Sequence, residues 1–243
     1  MPNNRVYLMT VNPYGTARGI VRKARAKLRG EQTGDFGISF RQMRRIIGRD
    51  DATILEIGAA DGLDSVRFLT EFRDKRFRLF CFEPDLRNTA TWLTNVSDPR
   101  ATLIRMAVGE EVGEKTWYRS STIYSSSIKR PNVQTIQSVW PDISFDDHTT
   151  VAVTTLDGFV FDPANEIDVI DFIWADVQGA EDLLIRGGLF ALSTRTRFLY
   201  TEYSAAEYYV DEPNREQILQ LLGPNWSIVK DFGTDILLRN NGL

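Results

Sequence analysis

From about residue 53 the chain alternates short apolar runs with segments of helical spacing, and nothing else restricts its fold as strongly. Residues 54–58 read as a strand and 63–72 as a helix with Val66, Leu69 and Phe72 on one face. The run RLFCFE (78–83) is a nearly continuous apolar strand, as expected when helices cover both faces of a sheet, and Pro84 stops it. A helix at 86–96 and a third strand at 102–108 follow. Gly109 and Gly113 mark a turn before an antiparallel strand at 115–119. Further on, the pattern predicts strands at 149–156, 169–177 and 197–203. Helices are predicted at 182–192, on Leu183, Leu184 and Leu189, and at 213–222, with Ile218, Leu221 and Leu222 inward. WSIVKDF and DILLRN close the chain as an antiparallel hairpin around Gly233. Such alternation predicts an α/β fold: a doubly wound, mainly parallel sheet with helices on both faces and a C-terminal antiparallel hairpin.

The sheet is expected to occupy residues 50–243, with one interruption. Residues 120–148 are Ser-rich and broken by Pro131 and Pro141, which predicts a loop or lid carrying a short helix near 133–139. Residues 1–49 read as a basic, partly helical extension. Ile20, Val21, Ala24 and Leu28 share one side of a helix at 20–29, and a second helix at 41–47 leads into the first core strand. Residues 1–50 hold 11 Lys/Arg against 3 Asp/Glu in a chain whose net charge is -4. That asymmetry offers a contact for an anionic substrate or a membrane surface, beside the plainer reading of a solvated helix. The single cysteine, Cys81, excludes a disulfide framework within the chain. No leader pattern is visible, and no apolar stretch approaches the roughly 18 residues of a membrane span, so a cytoplasmic protein is expected.

Sheets of this class bind ligands beyond the carboxyl ends of their strands. Those ends are expected at Glu56–Gly58, Glu83, Ala107–Val108, Asp176–Gln178 and Glu202. The first turn, GAADG from Gly58 to Gly62, has Ala60 where a dinucleotide fingerprint requires its middle glycine. Glu56 and Asp61 put two carboxylates beside the turn, which repel a diphosphate and suit a cationic ligand. S-adenosylmethionine carries a sulfonium and an ammonium and no phosphate. Glu83 follows the turn by about 20 positions, where an acid accepts hydrogen bonds from ribose hydroxyls.

The segments ILEIGAADG and FCFEPD resemble the first motif and the second-strand acid of class I S-adenosylmethionine-dependent methyltransferases. IRMAVGEEVGEKTWY, VTTLD, IDFIWADVQGAEDLLIRGG and YTEYS are similar to the FkbM family within that class. The resemblance covers roughly residues 50–240. It implies a seven-stranded Rossmann-like fold and methyl transfer, usually to a hydroxyl on a sugar, glycolipid or natural-product scaffold. It implies further that Glu56, Gly58 and Gly62 line the methionine end of the cofactor, Glu83 holds the ribose, and Ala107 and Val108 flank the adenine. Asp61 contacts the cofactor or fixes the turn. The chain departs from the family pattern, closer to Lys-Ile-Asp-Val-Glu-Gly, at Trp174, Ala175 and Gln178.

An alcohol acceptor must lose its proton as the new bond forms. Asp176, at the end of the central strand, is the candidate base, positioning group or metal ligand, and Gln178 a candidate hydrogen-bond partner of the acceptor. His148, the single histidine, is a second candidate base. Glu202 lies among tyrosines able to stack on a sugar ring. A divalent metal on Asp176, Glu181 and Glu202 is chemically reasonable for hard oxygen donors, but no spacing is diagnostic and the metal stays unassigned. The alternatives are a non-catalytic cofactor-binding or assembly protein of the same fold, and a methyltransferase acting on nitrogen or nucleic acid. The acidic body of the chain argues against a nucleic-acid partner.

Overall fold

A computed structural model describes residues 37–243; the basic helix expected at 20–29 lies outside them. Each early element forms for a local reason. Helix α1 (Phe40–Ile47) opens on a reciprocal capping box between Ser39 and Gln42 and ends on Gly48 in the left-handed conformation. Strand β1 (Thr53–Ile57) is buried along its whole length. Helix α2 (Leu63–Glu71) follows, then β2 (Arg78–Phe82), then α3 (Leu86–Asn95), capped by the Asp85 side chain. Strands β3 (Ala101–Ile104), β4 (Ala107–Val108), β5 (Gly113–Arg119) and β6 (Asp147–Thr154) come next, with α4 (Val133–Val139) between β5 and β6. Helix α5 (Leu156–Val160), β7 (Phe172–Ala175), α6 (Glu181–Arg186), α7 (Leu189–Thr194) and β8 (Phe198–Glu202) precede α8 (Arg215–Leu222), β9 (Trp226–Asp231) and β10 (Asp235–Asn240).

Seven strands form the main sheet in the order β3-β2-β1-β7-β8-β10-β9. The first five are parallel, and β10 runs antiparallel to both β8 and β9. This is the doubly wound, Rossmann-like arrangement that the alternation predicts. Successive strand residues face opposite sides. Leu55 and Ile57 therefore join Leu184, Ile185 and Ile218 in one core. Ile54 joins Met43, Phe68, Cys81 and Trp92 in the other. The strand order reverses between β1 and β7, which opens a crevice at the carboxyl ends of those two strands.

Four expectations are corrected. The third strand does not run through to 108: it stops at Ile104, and β4 leaves the main sheet to pair with β6 in a separate three-stranded sheet, β4-β6-β5. The helix expected at 182–192 is two helices, broken at Gly187 and Gly188. A β-carbon at Gly187 would lie 1.9 Å from the carbonyl oxygen of Gly109, so backbone meets backbone there. Leu189 consequently points outward, 50% exposed, while Leu184 is buried. On α2 the inward face carries Ser65, Phe68 and Leu69, and Val66 is turned toward solvent. The apolar run at 169–177 contributes only Phe172–Ala175 to the ladder. Helix α4 falls where the sequence places it. Among the described residues, no helix is long and apolar enough to cross a membrane.

Candidate cofactor and acceptor site

The glycine turn leaves β1 at the crevice. Gly58 and Ala59 both donate their N–H to the Phe82 carbonyl at 2.9 Å, which folds the turn over the end of β2. Gly58 has φ +93, and a β-carbon on it would sit 2.0 Å from the Asp176 carbonyl oxygen. Asp176 in turn donates its N–H to the Ile57 carbonyl at 2.9 Å. Gly58 is thus required by the approach of two adjacent strand ends. Gly62 is required by packing, since its β-carbon would meet Trp92 at 2.7 Å. Ala60, between them, adopts φ +47, a conformation that L-residues seldom take. Its N–H points at Glu83.

Glu83 is buried just past β2. Its Oε2 accepts from Ala60 N–H at 2.9 Å and its Oε1 from Asp85 N–H at 2.7 Å. Burial pushes its carboxyl up to about 7, against the pull of these two donors. Asn88, also buried and hydrogen-bonded to Glu83, has an Oδ1 without a partner among the described residues. A buried acceptor left unsatisfied beside a carboxylate fits a ligand bearing hydroxyl donors, such as a ribose. Asn88 carried no motif signal, because it lies on a helix whose phase alone turns it toward Glu83.

Glu56 is placed differently from the picture of a carboxylate lining the turn. It shares the α2 face of β1, where Ser65 Oγ and Cys81 Sγ donate to its Oε2, the latter at 3.3 Å. Burial, with a smaller contribution from Asp64, pushes it up to about 8, so it is largely protonated at neutral pH. Glu56 therefore adds little negative charge beside the turn at neutral pH. Asp61 is buried; its Oδ2 accepts from the Tyr124 hydroxyl at 2.7 Å, and its Oδ1 lies 3.3 Å from Leu63 N–H.

At the end of β7, Asp176 Oδ1 accepts from Gln178 Nε2 at 2.5 Å. Gln178 and Gly179 both have positive φ, +56 and +86, a tight reversal that leads into α6. The Tyr209 ring packs against Gly179, and its hydroxyl lies 2.6 Å from the Ser125 carbonyl and 3.3 Å from Gln178 Oε1. Glu181 is buried, and its Oε1 has no partner among the described residues. Its carboxyl is held well above the usual range by burial first, then by the charges of Glu212, Glu202 and Asp176. Glu202 ends β8 opposite Asp235. Among the described residues, no group of three or more His, Cys, Asp or Glu side chains is arranged to hold a metal ion.

The segment after β5 is tied to both halves of this crevice. Asn88 Nδ2 donates to the Ile123 carbonyl and Arg87 to the Ser120 carbonyl, while Tyr124 reaches Asp61. On the other side Ser125 meets Tyr209, and the buried Lys129 pairs with Asp182 at 2.7 Å. Tyr209 belongs to the tyrosine-rich stretch around Glu202 that the sequence marks as aromatic, whereas Tyr124 was not singled out, since loop residues have no periodicity to read. His148 stands apart from these contacts. It lies on β6 opposite Tyr118, exposed in the small sheet. Ala107 and Val108 are buried, and Val108 belongs to the α5–α8 core.

The chain is similar to several known proteins. The family profile described as the methyltransferase FkbM domain matches residues 56–233. The 2-O-methyltransferase NoeI of Sinorhizobium fredii is 36% identical over 215 residues, 84% of this chain and 85% of its own length. The methyltransferase FkbM structure from Methylobacillus flagellatus is 18% identical with a TM-score of 0.47; the match covers 78% of this chain and 44% of that one, so this chain spans under half of its length. Fibrillarin from Aeropyrum pernix, solved with natively bound S-adenosyl-L-methionine, is 13% identical with a TM-score of 0.41, covering 80% of this chain and 67% of its own. The profile match and the relationship to the Sinorhizobium enzyme together establish that the chain belongs to the FkbM family of S-adenosylmethionine-dependent methyltransferases.

Proposed function

We propose that the protein methylates a hydroxyl oxygen on a small molecule of the sugar, glycolipid or natural-product type. The observation that carries this reading is the meeting of Gly58 with Asp176 at the strand-order reversal, which sets a carboxylate next to the cofactor turn. The 2-O-methyltransferase NoeI supports an oxygen acceptor.

The cofactor fits the residues present. Glu83 and the unsatisfied Asn88 Oδ1 would hold the ribose, and Asp61, Gly58 and the turn backbone the amino-acid end. When bound, S-adenosylmethionine supplies a methyl group activated by the neighbouring sulfonium. What remains for the chain is to align the acceptor, exclude water and take a proton. Asp176 is the base or positioning group, with Gln178 fixing its carboxylate through Oδ1. Glu181 adds an unmet hydrogen-bonding atom to the same acidic group. Glu202 helps shape the acceptor side. We read the insertion at about 120–148 as a lid, whose first part contacts both halves of the crevice. A cytoplasmic setting is part of this proposal, in keeping with the free, buried Cys81.

The test is incubation with isotopically labelled S-adenosylmethionine and a cell extract, followed by mass spectrometry. The expected product gains one methyl on an oxygen. A product methylated only on nitrogen or on nucleic acid would overturn the reading.

A further inference from the structure

At the opposite end of the strands, the approach to β1 forms a cleft of about 510 Å³ lined by Arg41, Arg44, Arg45, Gly48, Arg49, Asp50 and Glu71. Asp50 and Asp51 immediately precede β1, and Glu71 ends α2. The cleft is therefore at the amino ends of the strands. The five residues of β1, at roughly 3.3 Å each, separate it from Gly58 by about 16 Å. No methyl-transfer geometry spans that distance.

Its charges are only partly neutralised. Arg44 makes a two-pronged pair with Asp50, with Nη2 2.6 Å from Oδ2, and lies 3.6 Å from Glu71. Arg49 pairs with Asp51 at 2.6 Å. Arg41 and Arg45, one helical turn apart on the exposed face of α1, have no ion pair or hydrogen bond among the described residues. Arg41 also sits in the first turn of α1, where the helix dipole disfavours a cation and where no acidic residue offsets it. Stability alone does not select an arginine there. All four cations lining the cleft are arginine and none is lysine, which favours the planar, two-pronged recognition of an oxyanion. The apolar side of α1, Met43 and Ile47, is already in the core, so the helix has no face left to insert into a bilayer.

We infer that this arginine cleft between α1 and the end of α2 binds a phosphate ester, serving as an anchoring site separate from the methyl-transfer crevice. The ligand chemistry is a phosphoryl group, carried on a soluble molecule or on a lipid headgroup. The inference does not depend on the identity of the methyl acceptor.

The test uses the full chain, with inorganic pyrophosphate titrated calorimetrically and sedimentation with vesicles of phosphatidylcholine, with and without phosphatidylglycerol. The variants are Arg41→Ala/Arg45→Ala and, as a charge-matched control away from the cleft, Lys115→Ala/Lys230→Ala. Saturable binding of either probe by the wild type is expected, weakened at least about tenfold in the arginine variant and unchanged in the control. Binding of pyrophosphate without vesicles assigns a soluble ester; binding of phosphatidylglycerol vesicles assigns a lipid headgroup. Both arginines are exposed, so the variant is expected to keep the wild-type melting temperature and its affinity for S-adenosylhomocysteine. No saturable binding of either probe, or equal losses in the arginine and lysine variants, overturns the inference.

Discussion

The α-carbon of Gly58 and the carbonyl oxygen of Asp176 approach so closely that a β-carbon at Gly58 would lie 2.0 Å from that oxygen. The cofactor turn and the end of the central strand are therefore a single packed unit. Gly58→Ala forces both a left-handed alanine and a backbone displacement, and we expect it to destabilise the fold by about 3 kcal/mol or more. Urea denaturation measures this; a loss under 1 kcal/mol would mean that the two strand ends separate freely.

Asp176→Asn preserves the shape of the side chain and its contact with Gln178 while removing its basicity. S-adenosylhomocysteine is expected to bind the variant within about twofold of wild type. Turnover is expected to fall by about 100-fold or more, the usual contribution of a positioned base. Turnover equal to wild type would remove Asp176 from the chemistry.

Burial pushes the Glu83 carboxyl up to about 7. Ribose hydroxyls donate better to a carboxylate than to a carboxylic acid. Affinity for S-adenosylhomocysteine is therefore expected to rise between pH 6 and pH 8, and Glu83→Gln to flatten that rise while weakening binding at pH 8 about tenfold. Calorimetry across the range checks both; an unaltered pH dependence in the variant would detach Glu83 from the cofactor.

The protonation of Glu56 makes a separate stability prediction. Its folded-state value, about 8, lies above the ordinary 4.5, so the folded protein holds more protons than the unfolded chain between those limits. Unfolding free energy from this group therefore falls as pH rises through that window. The melting temperature of the ligand-free protein is expected to decline less steeply from pH 6 to pH 8.5 in Glu56→Gln than in the wild type. Identical slopes would refute the assignment.

Much of this architecture was legible because the main strands are buried on both faces and declare themselves as apolar runs. Pro84 fixed one strand end in the same way. The departures have physical causes that periodicity does not register. Strand β4 is two residues long, too short to show a period, and it pairs outside the main sheet. The α6–α7 break was written in Gly187–Gly188, but its reason, the carbonyl of Gly109, is far away in sequence. For Glu56, spacing supplies its distance from the turn but not its partners Ser65 and Cys81. Tyr124 and Asn88 contribute through contacts across the fold that neighbouring residues do not encode.

Residues 120–131 are fastened on one flank through Tyr124 and Asn88 and on the other through Tyr209 and Lys129. A strap tethered on both sides does not open halfway: freeing one compartment loosens the other. The two reactants are then not expected to be handled as independent visitors; whichever docks first sets the terms of entry for the second. Initial-rate kinetics should accordingly show a compulsory order of arrival, with the spent cofactor departing last.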